Sequence, residues 1–379
     1  MAEAFCRLRS NLPLALGSGA CENRSLEADL RAIDCDIHPF VPSLGALAPY
    51  MDEYWREMIS VRGLETVESA SYPINSPLTC RPDWQAKPRP ASRLEDLVGP
   101  VFDTMGADLA ILNPLYGIQL IMNEDQAIAF ARALNDWIKA EWLDRDRRLR
   151  ASIVVPTNNV ELAVEEIERC AADPRFVQVL FLCMGDVPMG RRHLWPLYAA
   201  AQRHKLTIGI HAGSSYKNPV TSLGWPSWYL EDYTDQAQGF QSTLTSMITE
   251  GVFAQFPDLR VVCLESGVSW LPGFMWRLNK FWRGLRFEVP WVKQAPLDIV
   301  RQHVRFSIQP FDAPDDPKIV ERLMGHFNSD EMFLYASDFP HWQFDGNDPM
   351  PPAIPAAIRH KIMVDNPLAS YERLGALVT

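Results

Sequence analysis

The chain has 379 residues, 47% hydrophobic and 22% charged, enough apolar material for a large core and too much for a chain that is disordered as a whole. Its formal charge of -11, with no Lys/Arg run to offset it, argues against a phosphate backbone as partner. No apolar stretch reaches membrane-spanning length, and the N-terminus lacks a sustained hydrophobic region of signal-peptide quality.

Short apolar runs bounded by turn signals predict eight strands. In chain order they are AIDCDIH (Ala32 to His38), DLAILNPL from Asp108, LRASIVVP from Leu149 and FVQVLFLC from Phe176. LTIGIH follows from Leu206, LRVVCLE from Leu259, VRFSIQ from Val304 and MFLYASD from Met332. Most are continuous apolar runs, which suits strands covered on both faces of a parallel sheet. Between them lie helical patterns: NEDQAIAFARALNDWIKAEWL with Asn123 as N-cap, VELAVEEIERCAA, and HLWPLYAAAQRH. Strand and helix alternating eight times predict a (β/α)8 TIM barrel rather than an open doubly wound sheet. One domain over 30–379 follows, with an insertion after the first strand at about 39–100, rich in Pro and aromatic residues, and an N-terminal extension over 1–29.

Seven cysteines form no CxxC pair, and Cys35, Cys183 and Cys263 lie inside strand-like runs. They read as buried thiols in a reducing compartment, and the expected location is cytoplasmic.

Reactive residues of such a barrel sit at the C-terminal ends of its strands. Strand one ends Asp36-Ile37-His38, strand five ends His211, strand six ends Glu265 and strand eight ends Asp338. Side chains alternate with period two, so Asp36 and His38 share a face opposite Cys35 and Ile37. The same parity sends His211 and Asp338 inward, with Ile208, Ile210, Tyr335 and Ser337 outward. Taken singly, each residue has a plain alternative: a chance Asp-x-His, a satisfied buried histidine, a turn aspartate, a helix-start glutamate. Their coincidence at strand ends of one barrel predicts a divalent-metal site of Asp36, His38, His211 and Asp338. Imidazole nitrogen and carboxylate oxygen suit zinc first, with manganese or another first-row metal as the alternative. Asp338, Glu265 and His211 are the expected catalytic residues, Glu265 either as a further ligand or as an acid/base.

Around this centre, GWPSWYLEDY with Trp228, and His341-Trp342, would supply aromatic surface for a flat ring, although a packed loop explains the tryptophans equally well. Arg81 is a candidate clamp for a substrate carboxylate, with a solvated surface arginine as the plainer reading. The stripe Trp270, Phe274, Arg277 and Phe281 reads as helix packing or a subunit contact.

The segments IDCDIHP, GIHAG, LESGVSWLPGFMWRLNK and YASDFPHW resemble the amidohydrolase superfamily, from about Ala32 to the C-terminus. Within it they are similar to the amidohydrolase-related branch that includes aminocarboxymuconate-semialdehyde decarboxylase. The resemblance implies a metal-dependent barrel enzyme, often a homodimer, acting on a small molecule, with Asp36, His38, His211 and Asp338 as ligands. Two positions depart from the pattern. Strand one usually reads H-x-H, and here Asp36 adds negative charge. Strand six of the decarboxylases carries a proton-handling His, and here Glu265 stands there, with a reference pKa of ~4.3 rather than ~6.5. The expected reaction is therefore hydrolysis of a small organic acid or cyclic or aromatic compound by metal-activated water, and the alternative is non-oxidative decarboxylation of an aromatic or unsaturated acid.

Overall fold

The computed structural model describes residues 30–67, 79–86 and 88–378; the expected extension over 1–29 lies outside them. Eight parallel strands run in sequence order: β1 (Ile33–Ile37), β2 (Leu109–Leu112), β3 (Leu149–Val154), β4 (Phe176–Met184), β5 (Thr207–Ser214), β6 (Val261–Leu264), β7 (Val304–Ser307) and β8 (Phe333–Leu334). Their residues are almost all buried, as expected where helices cover the outside and packed side chains fill the inside. The barrel closes through residues just past β8. Cys35 N donates to Tyr335 O at 3.0 Å and His38 N to Phe339 O at 2.8 Å, with a parallel bridge between Ile37 and Phe339. The predicted (β/α)8 barrel is the observed fold.

The helices that matter for the site follow the strands they cover. Asn123 caps the helix Glu124–Ile138 by accepting from Gln126 N at 2.9 Å, as its sequence position predicts. The helix Tyr229–Glu250 follows β5, and Leu271–Leu285 follows β6. In the predicted stripe, Trp270 and Phe274 pack inward, with Trp270 6.0 Å from Phe306, whereas Phe281 is half exposed. Cys35, Cys183 and Cys263 are buried free thiols.

Two strand boundaries differ from the sequence reading. β5 continues to Ser214, so His211 sits inside the strand rather than at its end. β8 stops at Leu334, because Tyr335 N turns away to Ile362 O at 2.9 Å and Ser337 N to the Asp34 carboxylate at 3.0 Å. Asp338 therefore lies in a turn at φ 60°, where strand parity does not operate. Among the described residues, no helix is long and apolar enough to cross a membrane.

Candidate metal centre

Asp36, His38, His211 and Asp338 meet at the C-terminal mouth of the barrel, completely buried, with one potential ligand atom from each lying within 4.8 Å of the others. His38 Nε2 is 2.8 Å from Asp338 Oδ1 and 3.3 Å from Asp36 Oδ1. His211 Nε2 is 3.5 Å from Asp36 Oδ2. Each imidazole is aimed by its other nitrogen. His38 Nδ1 lies 2.9 Å from Asn113 O, and His211 Nδ1 lies 2.6 Å from Ala212 O. A carbonyl oxygen can only accept, so both Nδ1 atoms carry the proton and both Nε2 atoms face the centre, as a ligating histidine requires.

The donor set fits a divalent ion. Asp36 Oδ2, His211 Nε2 and Asp338 Oδ2 are buried with no hydrogen-bond partner among the described residues. Burying carboxylate oxygens without partners is costly, and a cation accepting their lone pairs removes that cost. In the metal-free protein, burial opposes charge on His38, but Asp36 and the bond to Asp338 outweigh it and hold the imidazole up at about 10. His211 shifts the same way, burial again opposed by Asp36 and Glu265. Burial would lift Asp338, but His341 and His38 hold it well below the ordinary carboxylate range.

Glu265 borders this group. It follows β6 at φ 57°, and its side chain is 7% exposed. Its Oε2 is 3.3 Å from His211 Nε2, while Oε1 accepts from the Tyr233 hydroxyl and, at 3.4 Å, from Gln343 Nε2. Burial and the charge of Asp338 raise its pKa. Glu265, Asp338 and His341 form a second group of convergent donors that shares Asp338 with the first. Two strand-end acids in the left-handed region are unusual for residues with a side chain, and such backbone strain gathers at functional sites.

The outer residues divide. His341 Nδ1 lies 2.8 Å from Asp338 Oδ1, and its ring stacks on His38 at 4.8 Å between centroids. Trp342 N donates to Thr79 O and Cys80 bridges His341, which brings part of the segment between β1 and β2 against the centre. The Trp342 ring is 49% exposed and Trp228 is 72% exposed at the start of its helix, so neither is enclosed with the ligands. Arg81 already has its carboxylate: its Nε and Nη2 donate to Asp83 at 2.6 and 2.8 Å, and its guanidinium lies over Trp84. The sequence reading missed Asp34, Asn113, Tyr233 and Gln343. Asp34 had a signal, since D-x-D-x-H gives it the parity of Asp36 and His38. Its Oδ1 accepts from Asp36 N at 3.2 Å and from Ser337 N, tying β1 to the turn that carries Asp338.

γ-Resorcylate decarboxylase of Rhodococcus jostii (strain RHA1) is 25% identical over 172 residues, 43% of this chain and 52% of the relative. The chain spans 52% to 66% of the length of the curated relatives it matches. An amidohydrolase from Mycobacterium avium subsp. paratuberculosis K-10 superposes with a TM-score of 0.67 at 20% identity, over 90% of this chain and 99% of the other. A dihydroxybenzoic acid decarboxylase from Polaromonas sp. JS666, solved with bound manganese and the inhibitor 2-nitroresorcinol, gives 0.62 at 18% identity, over 90% and 96%. The donor cluster of this chain supports a divalent-metal site, without singling out zinc. The family model described as amidohydrolase matches residues 33–373, from the first strand to beyond the last, and the chain belongs to that family.

Proposed function

We propose that this protein is a metal-dependent, non-oxidative decarboxylase of an aromatic acid bearing a hydroxyl beside the carboxylate. The observation that carries this reading is Glu265, a nearly buried acid beside the ligand cluster, which burial and Asp338 favour in its protonated form. Decarboxylation needs such a donor, because the ring carbon that loses CO2 must take up one proton. Four curated relatives of this chain are named γ-resorcylate decarboxylase, which supports the same choice. The hydrolytic reading, placed first from sequence, has no comparable support and gives way to its alternative.

Asp36, His38, His211 and Asp338 would hold the ion. With two carboxylates in the set, manganese suits the site better than the zinc expected from sequence. When bound, the ion would hold the substrate carboxylate and its neighbouring oxygen and draw charge from the ring. Glu265 would deliver the proton, and Tyr233 with Gln343 fixes Oε1 so that Oε2 faces His211. His341 would hold Asp338 and offer a ring edge to the substrate. Arg81, closed onto Asp83, and Trp228, turned to solvent, would not touch the substrate, whereas Trp342 would stand at the rim.

The test is incubation of manganese-loaded protein with 2,6-dihydroxybenzoate in D2O. CO2 release with deuterium at the vacated ring position is expected. Hydrolysis of ester or lactone analogues without CO2 from any hydroxybenzoate would overturn the reading.

A further inference from the structure

Behind the ligand cluster a chain of buried amides runs down the inside of the barrel. Asn113 follows β2 and is completely buried. Its Nδ2 donates to Asp36 Oδ1 at 2.8 Å and to Cys35 O at 3.0 Å. Its Oδ1 accepts from Ser152 Oγ at 2.5 Å and from Gln178 Nε2 at 2.9 Å. Two donors and two acceptors are the whole capacity of a carboxamide, and all four are used, so the amide cannot flip without breaking its bonds. Its backbone carbonyl is also the group that orients His38.

Gln178 is fixed in turn. Its Oε1 accepts from the Tyr371 hydroxyl at 3.1 Å, and its Nε2 also reaches Ser152 Oγ at 2.8 Å. The chain thus has one polarity, with Tyr371 donating to Gln178, Gln178 to Asn113 and Asn113 to Asp36. The barrel makes room for it. A Cβ on Gly209, in the adjacent strand β5, would fall 2.4 Å from Gln178 Cδ and Nε2. Glycine weakens a strand interior, and here it permits a close approach.

We infer that Asn113 is the positioning residue of the metal centre, setting Asp36 through its side chain and His38 through its backbone, and that Gln178 and Tyr371 keep its amide in that orientation. The inference rests on the metal-centre reading above. Partners one shell behind metal ligands typically change affinity about 10–100-fold when removed.

The probe is cobalt(II), followed by chelator competition and by its visible absorption bands. Asn113→Ala is expected to weaken cobalt binding about 10-fold or more and to shift the bands, because Asp36 loses its fixed donor. Tyr371→Phe, which removes one hydroxyl three hydrogen bonds away from Asp36, is expected to weaken binding at least about twofold with a smaller shift in the same direction. Unchanged affinity and spectrum in both variants would overturn the proposal. Should Asn113→Ala fail to fold, an unchanged Tyr371→Phe alone would do so. Wild-type protein that takes up no stoichiometric cobalt would instead remove the metal-centre reading itself, so the two failures are distinct.

Discussion

Replacing Glu265 by glutamine separates the two roles a strand-end acid can have at this centre. Glutamine keeps the shape and an oxygen able to accept from Tyr233, so the contacts on Oε1 survive the change. Burial and the charge of Asp338 raise the Glu265 pKa, and the substitution removes the titratable proton while leaving the shape of the side chain in place. A ligand role predicts loss of metal. A proton-donor role predicts a full equivalent of metal and a loss of about 10²–10⁴ in turnover, the usual contribution of a positioned acid, or about 3–5 kcal/mol of barrier.

The stability of the chelator-treated protein gives an independent check. An acid whose folded pKa lies above its unfolded value binds more protons in the native state, so its contribution to stability falls as pH rises from the unfolded pKa through the raised one. Glu265→Gln removes that slope, and the variant should gain on wild type as pH increases over this range. Metal content by elemental analysis, turnover of 2,6-dihydroxybenzoate and thermal melts across pH decide the matter together. Glu265→Gln that lacks metal, or that retains turnover within a few-fold of wild type, would refute the donor role.

Three further outcomes follow from the same geometry. His211→Ala removes one of two imidazole ligands and should lose bound metal with most activity; a stoichiometric ion in that variant would sink the ligand set. Metal affinity should rise with pH. The raised His38 pKa is a folding contribution of the metal-free protein, complete below its ordinary 6.5 and lost as pH rises through about 10, whereas the metal-bound form requires the proton gone. Competition titrations at several pH values measure this, and a flat profile would contradict it. Gly209→Ala forces Gln178 away from its bonds to Asn113, Ser152 and Tyr371, and should cost about 1–3 kcal/mol in denaturant unfolding while weakening metal binding. A variant with wild-type midpoint would show that Gln178 has room to move.

The strands were legible because helices cover one face and side chains fill the other, leaving continuous apolar runs such as FVQVLFLC. The convergence of Asp36, His38 and His211 was legible because β1 and β5 project them by simple alternation. Asp338 reached the right place for a different reason than parity: Asp34 captures Ser337 N and turns the chain after β8. Asn113 and Tyr233 were not legible. Asn113 meets Asp36 across 77 residues of sequence, and nothing local marks an asparagine at a strand end as its partner. In GWPSWYLEDY the helix begins at Tyr229, so the helical repeat puts Tyr229 and Tyr233 on one face, their rings 5.5 Å apart, and leaves Trp228 facing solvent. The register of a helix start decided which aromatic residue reached the acid.

Asp36 and Glu265 both bear on one imidazole, lying 3.5 and 3.3 Å from His211 Nε2. Asp36 adds a carboxylate to the ligand set, and Asn113 Nδ2 answers it with a fixed dipole rather than a charge. Glu265 shares His211 with that aspartate, and burial with the charge of Asp338 raises its pKa, the direction a proton donor needs from a group with so low an ordinary value. A histidine in the place of Glu265 would bring a cation toward the same ion and relieve the excess differently. On this argument the aspartate of strand one and the glutamate of strand six belong together, and Asp36→His, which replaces a carboxylate beside His211 by an imidazole, should lower turnover of 2,6-dihydroxybenzoate while the metal stays bound. Retained turnover in that variant would break the link between the two sites.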